Sequence, residues 1–247
     1  MIEPSLNNQP TSDVASSVGE MSLTDHLQEL RQRIIICLIA VATTSFISYF
    51  YAENLIKIIA ASAGKLYFFH PTEVFFAYLR VALFVGFLAA LPIVFYQIWA
   101  FIIPALTKTE RTFVCILLPP SILLFFVGIL FSYFFVLPIA IQFFLGFASE
   151  SLQPMFSLGQ YLSFVISFLM PFGLIFELPL FILALANLGI ICSSFLKNKR
   201  KVVLVLAFIV GAIITPTPDM FSQTMIAVPI ILFYEISILL VKYVLKK

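Results

Sequence analysis

Six apolar runs are the feature that most constrains what this chain can fold into. The runs lie at about 34–51, 74–98, 113–137, 160–187, 202–214 and 221–241. The first four each approach or exceed the roughly 20 residues that an α-helix needs to cross a ~30 Å hydrocarbon core. The pattern therefore predicts an all-α polytopic membrane protein with six transmembrane helices.

Composition supports a membrane protein. Hydrophobic residues make up 62% of the chain, charged residues only 11%, and the mean hydropathy is +1.11, beyond what the core of a soluble protein requires. The net charge is +2, but the cations lie at the ends of the apolar runs rather than in one patch. That distribution is typical of membrane topology and argues against a nucleic-acid partner.

The chain divides into two parts. Residues 1–20 are rich in Ser, Asn, Gln and Pro and predict a disordered cytoplasmic tail, whereas residues 21–247 hold the six-helix domain. Met21 to Arg33 predicts a polar helix that continues without a break into the first apolar run. Thr24 or Asp25 is expected to cap its N-terminus.

Lysine and arginine positions predict the orientation. Of the 14 such residues, eleven fall in loops or ends that the six-span topology places in the cytoplasm. They are Arg31, Arg33, Lys108, Arg111, Lys197, Lys199, Arg200, Lys201, Lys242, Lys246 and Lys247. Lys57, Lys65 and Arg80 lie in or just after the first outer loop. Both termini are therefore predicted to be cytoplasmic.

The fifth apolar run is short for a membrane span. Residues 202–214 number 13 and reach only about 20 Å at ~1.5 Å per residue. We therefore expect a thinned bilayer beside this helix.

Motifs for catalysis and cofactor binding are missing from the sequence. It contains no Gly-rich phosphate loop. The predicted six-span topology places His26 and His70 on opposite sides of the membrane, and no nucleophile motif lies near either histidine. The three cysteines have no metal-ligand spacing. We expect neither an enzyme nor a bound metal or cofactor.

Glu177 is the most unusual polar residue, because it lies well inside the fourth apolar run. An acid at the centre of a membrane helix costs about 2.5 to 3.5 kcal/mol on insertion scales, and its presence indicates a cavity, a partner or a bound proton. A structural hydrogen bond to a neighbouring helix is the alternative. Pro171 and Pro179 flank Glu177 and predict a bent helix there.

Glu29 and Glu110 are expected to lie at the cytoplasmic surface. Their spacing alone favours ordinary roles: Glu29 can pair with Arg33 four residues on, and Glu110 can be a solvated charge beside Arg111.

The chain nevertheless resembles the TatC family, the core subunit of the twin-arginine protein translocase. The resemblance covers Met21 to about Tyr243. It rests on HLQELRQR at 26–33, PTEVFF at 71–76, LPIVFYQIWAFIIPALTKTER at 91–111, FELP at 176–179 and TPTPDMFSQ at 215–223.

This resemblance gives the two surface acids a different role. It implies that Glu29 and Glu110 help to receive the paired arginines of a signal peptide, with Phe101 and Arg31 on the same surface. A guanidinium meets a carboxylate through two parallel hydrogen bonds, a geometry that lysine cannot reproduce.

The resemblance also assigns residues elsewhere. It implies that Glu177 lies inside a glove-like, concave bundle of helices. Asp219, in the last outer loop, and Gln223, at the start of the sixth span, are implied in assembly with TatA and TatB, which are small single-span partners.

The function implied is that of a non-enzymatic receptor in the export of folded proteins, driven by the proton-motive force. A homo-oligomer within a larger complex is expected, in a bacterial inner membrane or, alternatively, a thylakoid membrane. The competing hypothesis is a proton-coupled solute transporter that uses Glu177 as its proton relay. An intramembrane protease would need a nucleophile and base that the sequence lacks.

Overall fold

The structure is a computed structural model that describes residues 23–61, 64–103, 106–149, 153–215 and 219–245. The helices are α1 (Leu23–Phe50), α2 (Ala52–Ala60), α3 (Pro71–Ile102), α4 (Lys108–Phe131), α5 (Leu137–Leu145), α6 (Leu158–Asn187), α7 (Ser193–Asn198), α8 (Arg200–Ile214) and α9 (Met220–Val244). Two short strands are β1 (Leu66–Tyr67) and β2 (Phe156–Ser157). The predicted tail, 1–20, lies outside the described residues.

Five of the six predicted spans are helices long and apolar enough to cross a membrane. This confirms an all-α polytopic membrane protein. The fifth run forms α8, whose 15 residues reach about 22 Å, so its predicted shortness is confirmed. The six-span count and the orientation stay predictions. We call the end where α1 begins the inner end, and the opposite end the outer end.

The first helix is continuous, as predicted, and runs from the polar segment into the apolar one. The predicted N-cap is wrong, because α1 already includes Leu23. Thr24 and Asp25 are therefore helical residues of α1, and the residues before Leu23 lie outside the described part of the chain. A capping side chain has to precede the first helical residue to reach its free N–H groups.

The third span contains an irregular turn. Between α4 and α5, residues Ser132–Val136 form a π-helical turn, in which the N–H of Leu137 donates to the carbonyl of Ser132. Pro138 follows directly and has no N–H to donate to the preceding turn. The extra residue in this turn allows the helix to continue past the proline, so that one apolar helix extends over Glu110–Leu145.

Glycines bring the long helices close together at two crossings. A Cβ added at Gly86 of α3 would lie 2.4 Å from the Cα of Ser45 in α1, and Thr44 donates to the Gly86 carbonyl at 2.7 Å. A Cβ at Gly173 of α6 would lie 2.6 Å from the ring of Phe125 in α4. These crossings fix α1 against α3 and α4 against α6, and so position the polar residues that those helices carry.

The short helix α8 is held by α9. A Cβ at Gly211 would lie 2.9 Å from the carbonyl oxygen of Gln223, so only a glycine permits this approach. At the inner end Arg200 forms an ion pair with Glu235 at 2.6 Å. These two contacts hold α8 against α9 near both of its ends.

The outer end carries structure that the sequence did not indicate. β1 and β2 pair in parallel, with Leu66 opposite Phe156 and Tyr67 opposite Ser157. Such two-residue strands are too short to leave a pattern in the sequence. The pairing joins the loop before α3 to the start of α6.

Candidate functional site

The inner end of α1 forms a charged cluster with α3. Glu29 Oε1 accepts hydrogen bonds from Nε and Nη2 of Arg33, at 3.0 and 2.6 Å. The Nη1 group of the same guanidinium donates to Oε1 of Gln97 in α3 at 2.9 Å. The pairing expected from the four-residue spacing is therefore confirmed. Gln97 is an additional member that no sequence pattern marked.

His26 and Phe101 extend this cluster. Their rings stack with centroids 4.3 Å apart and planes 16° apart, which joins the start of α1 to the end of α3. His26 Nδ1 lies 3.8 Å from Oε2 of Glu29. That oxygen is buried and accepts no hydrogen bond from the described part of the chain. The structure thus brings Glu29 and Phe101 to one place, whereas Arg31 is exposed on α1.

An apolar groove continues from the cluster along α1 and α3. Its volume is about 540 Å³, and Arg33, Gln97 and Phe101 belong to its lining. The remaining lining side chains are apolar or a thiol, namely Leu30, Ile34, Cys37, Leu38, Val41, Phe87, Val94, Ile98 and Ile102. A charged cluster beside an apolar groove matches a ligand that has cations next to a hydrophobic segment.

Glu110 has a structural partner at the start of α4. Its Oε2 accepts the backbone N–H of Thr107 at 2.9 Å, which completes a capping box with Thr107. The spacing T-x-x-E is the sequence signature of this box, so it could have been read from residues 107–110. Glu110 is therefore more than a solvated charge. The structure fixes its backbone near the inner end, nine residues after Phe101.

Glu177 accepts a hydrogen bond from a neighbouring helix inside the bundle. Ser121 of α4, which is fully buried, donates from Oγ to Glu177 Oε2 at 2.8 Å. Oε1 of Glu177 is also buried and has no hydrogen-bond partner among the described residues. A helix-to-helix hydrogen bond, one of the two sequence interpretations, is therefore present. Ser121 was missed because a lone serine in an apolar run carries no positional signal.

Asp219 and Gln223 lie at the outer end, away from the inner cluster. Asp219 caps α9 by accepting the backbone N–H of Ser222 at 2.7 Å. Gln223 is half-buried in the first turn of α9, where its backbone meets Gly211 of α8. Asp219 thus stabilises the start of α9, and the backbone of Gln223 contributes to the contact between α8 and α9. The predicted assembly role stays a prediction.

The chemistry available at these sites is binding rather than catalysis. Carboxylates with buried acceptor oxygens bind cations and hydrogen-bond donors. Across the described ranges, no group of three or more His, Cys, Asp or Glu side chains is arranged to hold a metal ion.

Comparison with known proteins identifies the family. Residues 25–229 match the family model for TatC, described as Sec-independent protein translocase protein. A Sec-independent protein translocase protein TatC from Carboxydothermus hydrogenoformans is 41% identical over 92% of this chain and 95% of its own length. The TatC of Aquifex aeolicus is also 41% identical, over 92% of this chain and 97% of its own.

Solved structures agree with these relatives. A crystal structure of the twin-arginine translocase receptor TatC superposes with a TM-score of 0.80 at 41% identity, covering 88% of this chain and 98% of that one. Family, fold and length all match a protein translocase component, which does not favour the solute transporter hypothesis. The chain belongs to the TatC family of Sec-independent protein translocase proteins.

Proposed function

We propose that this chain is the receptor for twin-arginine signal peptides in a translocase that exports folded proteins. One observation carries the proposal: the carboxylate of Glu29 is already bound by a guanidinium, that of Arg33, through two N–H groups. Its second oxygen is buried and accepts no hydrogen bond from the described residues. The site therefore has the chemistry to bind the group that distinguishes the proposed peptide.

Arg33 acts as a placeholder in the absence of peptide. When a peptide guanidinium approaches, it displaces Arg33 from the carboxylate of Glu29. Gln97 already accepts from Nη1 of Arg33, so the displaced side chain keeps one partner. Such an exchange replaces one charge-assisted pair by another. The carboxylate of Glu29 therefore always has a cationic partner, and the free-energy cost of an unpaired buried charge is avoided.

Glu110 provides the second acid. The capping box fixes the position of its carboxylate at the start of α4. A carboxylate has about four lone-pair positions, so accepting the Thr107 N–H does not exhaust its capacity. Glu29 of α1 and Glu110 of α4 then bind the two adjacent arginines of the signal peptide. Arg31, exposed near Glu29, adds positive charge that disfavours peptides with further cations at this position.

The hydrophobic segment that follows the arginines in such peptides lies in the groove between α1 and α3. The groove begins beside Arg33 and is lined mainly by apolar side chains. Burial of apolar surface at ~25 cal/mol per Å² supplies affinity that does not depend on the charges.

The remaining partners follow from the same function. The relative solved as a crystal structure is described as a twin-arginine translocase receptor, and a receptor needs the translocating subunits. TatA-like and TatB-like single-span proteins are proposed to dock at the outer end near Asp219 and Gln223, within a complex that holds several copies of this chain. The complex works in the bacterial inner membrane and uses the proton-motive force.

The test is binding of two peptides to the purified protein, one with paired arginines and one with paired lysines. Glu29→Ala and Glu110→Ala should each weaken binding of the arginine peptide, and each loss should shrink for the lysine peptide. The matched control is Glu53→Ala, since Glu53 is an exposed acid of α2 that pairs with Lys57 at the outer end. Equal losses for both peptides would contradict the arginine-reading role.

A further inference from the structure

A polar pocket lies at the outer end between α3 and α6, far along α3 from the Glu29 cluster. Its volume is about 570 Å³, and its polar lining includes His70, Glu73, Arg80, Ser157 and Gln160. It has no part in the binding of signal peptides proposed above.

Glu73 is fully engaged in holding this end of the fold. It accepts the backbone N–H groups of Phe69 at 2.9 Å and of Gly159 at 2.7 Å, and also a hydrogen bond from Ser157 Oγ. Gly159 is the second residue of α6, so the carboxylate lies at a helix N-terminus, where the helix dipole favours negative charge. The acid is therefore compensated by groups other than Arg80.

Arg80 is a cation without an anion. It lies seven residues after Glu73, about 10 Å further along the helix and inside an apolar span. Nη1 donates to the Gly159 carbonyl at 3.1 Å and to Ser163 Oγ. Within the described ranges no carboxylate forms an ion pair with it, and Nε and Nη2 have no acceptor. An exposed, unbalanced guanidinium at this depth indicates a functional partner.

An apolar crevice lies directly beneath this guanidinium. Its volume is about 420 Å³, and it shares Phe76 and Arg80 with the polar pocket. The other lining residues are all apolar, namely Leu79, Leu83, Phe84, Phe87, Ile166 and Met170. The two cavities therefore form one site that is polar above, apolar below and positively charged at the junction.

We propose that the crevice between α3 and α6 binds a phospholipid, with the lipid phosphate on Arg80 and one acyl chain between the helices. The guanidinium offers a fork of N–H donors that matches phosphate oxygens, and the charge is complementary. An acyl chain fits an apolar crevice that opens to the bilayer. A partner helix would bury Arg80 without supplying an anion at the junction, which is costly.

The experiment is native mass spectrometry of the delipidated full chain titrated with phosphatidylglycerol. Arg80→Gln, which removes the charge, should weaken binding of the lipid by about tenfold or more, as expected for loss of a charge-assisted interaction. Leu83→Trp should weaken it as well, because Leu83 is 49% exposed at the crevice and the larger ring fills the space for the chain. Lys57→Gln is the control and should bind as the wild type does.

Two further measurements separate the outcomes. Glycerol phosphate, which has the headgroup chemistry but no acyl chain, should not compete with the lipid at concentrations that saturate the lipid site. Unchanged lipid binding by both Arg80→Gln and Leu83→Trp would overturn the proposal. Loss of complex formation with single-span subunits in Leu83→Trp, with lipid binding unchanged, would assign the crevice to a protein helix and overturn it too. If Arg80→Gln fails to fold, Leu83→Trp alone decides.

Discussion

Glu29 and Glu177 are two partly buried acids that have different hydrogen-bond partners. Each has one carboxylate oxygen that is buried without a hydrogen-bond partner among the described residues. The other oxygen of Glu29 is bound by the charged guanidinium of Arg33, whereas that of Glu177 is bound by the neutral hydroxyl of Ser121. The two acids therefore differ in their hydrogen-bond partner more than in their burial. Glu29 has a cationic partner, whereas Glu177 makes a polar contact with a neutral hydroxyl within a predicted membrane span.

Glu29 and Glu177 also differ in where they lie along their helices. Glu29 precedes the apolar part of α1, and we propose that peptide arginines reach it there from the aqueous side. Glu177 lies between α4 and α6, where a charge without a counterion is costly. We infer that Glu29 acts in recognition, whereas Glu177 acts after recognition, when polar chain passes through the bundle.

The largest expected effect is on transport by Glu177→Gln. Glutamine keeps the hydrogen-bonding shape but carries no charge, so we expect peptide binding to be retained and transport to be impaired. Glu177→Ala, which loses both properties, should impair transport at least as much. The measurement is import of a twin-arginine precursor into inverted membrane vesicles. Full transport by the glutamine variant would reduce Glu177 to a structural contact.

A large effect on stability is expected from Ser121→Ala. The change removes the described hydrogen bond to Oε2 of Glu177, whose other carboxylate oxygen is already buried without a described partner, and such a loss costs about 1–3 kcal/mol. The double variant Ser121→Ala with Glu177→Leu removes both polar groups and should recover much of that loss. Ser237→Ala is the control, because Ser237 is also buried but donates only to Phe233 of its own helix.

Thermal unfolding in detergent measures these differences. If Ser121→Ala unfolds at the same temperature as Ser237→Ala, the hydrogen bond to Glu177 does not stabilise the contact between α4 and α6.

A smaller effect separates the two roles of Glu110. Glu110→Gln keeps the capping box, since glutamine also accepts the N-cap N–H, but it removes the charge. We expect unchanged stability and weaker binding of the arginine peptide. Thr107→Ala should do the reverse, with a loss of about 1 kcal/mol of stability and retained preference for arginine over lysine. Wild-type peptide affinity in Glu110→Gln would leave Glu110 with the capping role alone.

The smallest effect is expected from Gln97→Ala. It removes one hydrogen bond to Arg33, worth about 0.5–1.5 kcal/mol, without touching Glu29. If Gln97 holds Arg33 during exchange with the peptide, affinity for the arginine peptide should fall severalfold. Calorimetric titration measures this, and an unchanged affinity would remove Gln97 from the site.

The sequence predicted the long helices well because the length of an apolar run follows directly from the thickness of the bilayer. The short α8 could be predicted because its length is the length of one apolar run. The pairing of Glu29 with Arg33 could be predicted because the two residues are four positions apart on one helix. The capping box of Glu110 was also legible in the spacing of residues 107–110.

Contacts between distant segments could not be predicted in this way. Gln97 and Ser121 meet their partners across helix crossings set by glycines, and the sequence does not specify which faces meet. Arg80 was counted only as a topological charge, because its lack of an ion pair is visible only once Glu73 is seen to bind elsewhere. A polar residue type within a span indicates that the side chain has a function. The role of that side chain depends on the residue that it contacts on a neighbouring helix, which the sequence does not specify.

The most direct test of the central claim is a double-mutant cycle between Glu29 and each arginine of the signal peptide. Glu29→Gln is combined with replacement of one peptide arginine by glutamine, and dissociation constants are measured for all four pairs. Direct pairing predicts a coupling energy of about 1.5–3 kcal/mol for one of the two arginines. A coupling energy within about 0.5 kcal/mol of zero for both arginines would contradict the claim that Glu29 binds the peptide's guanidinium.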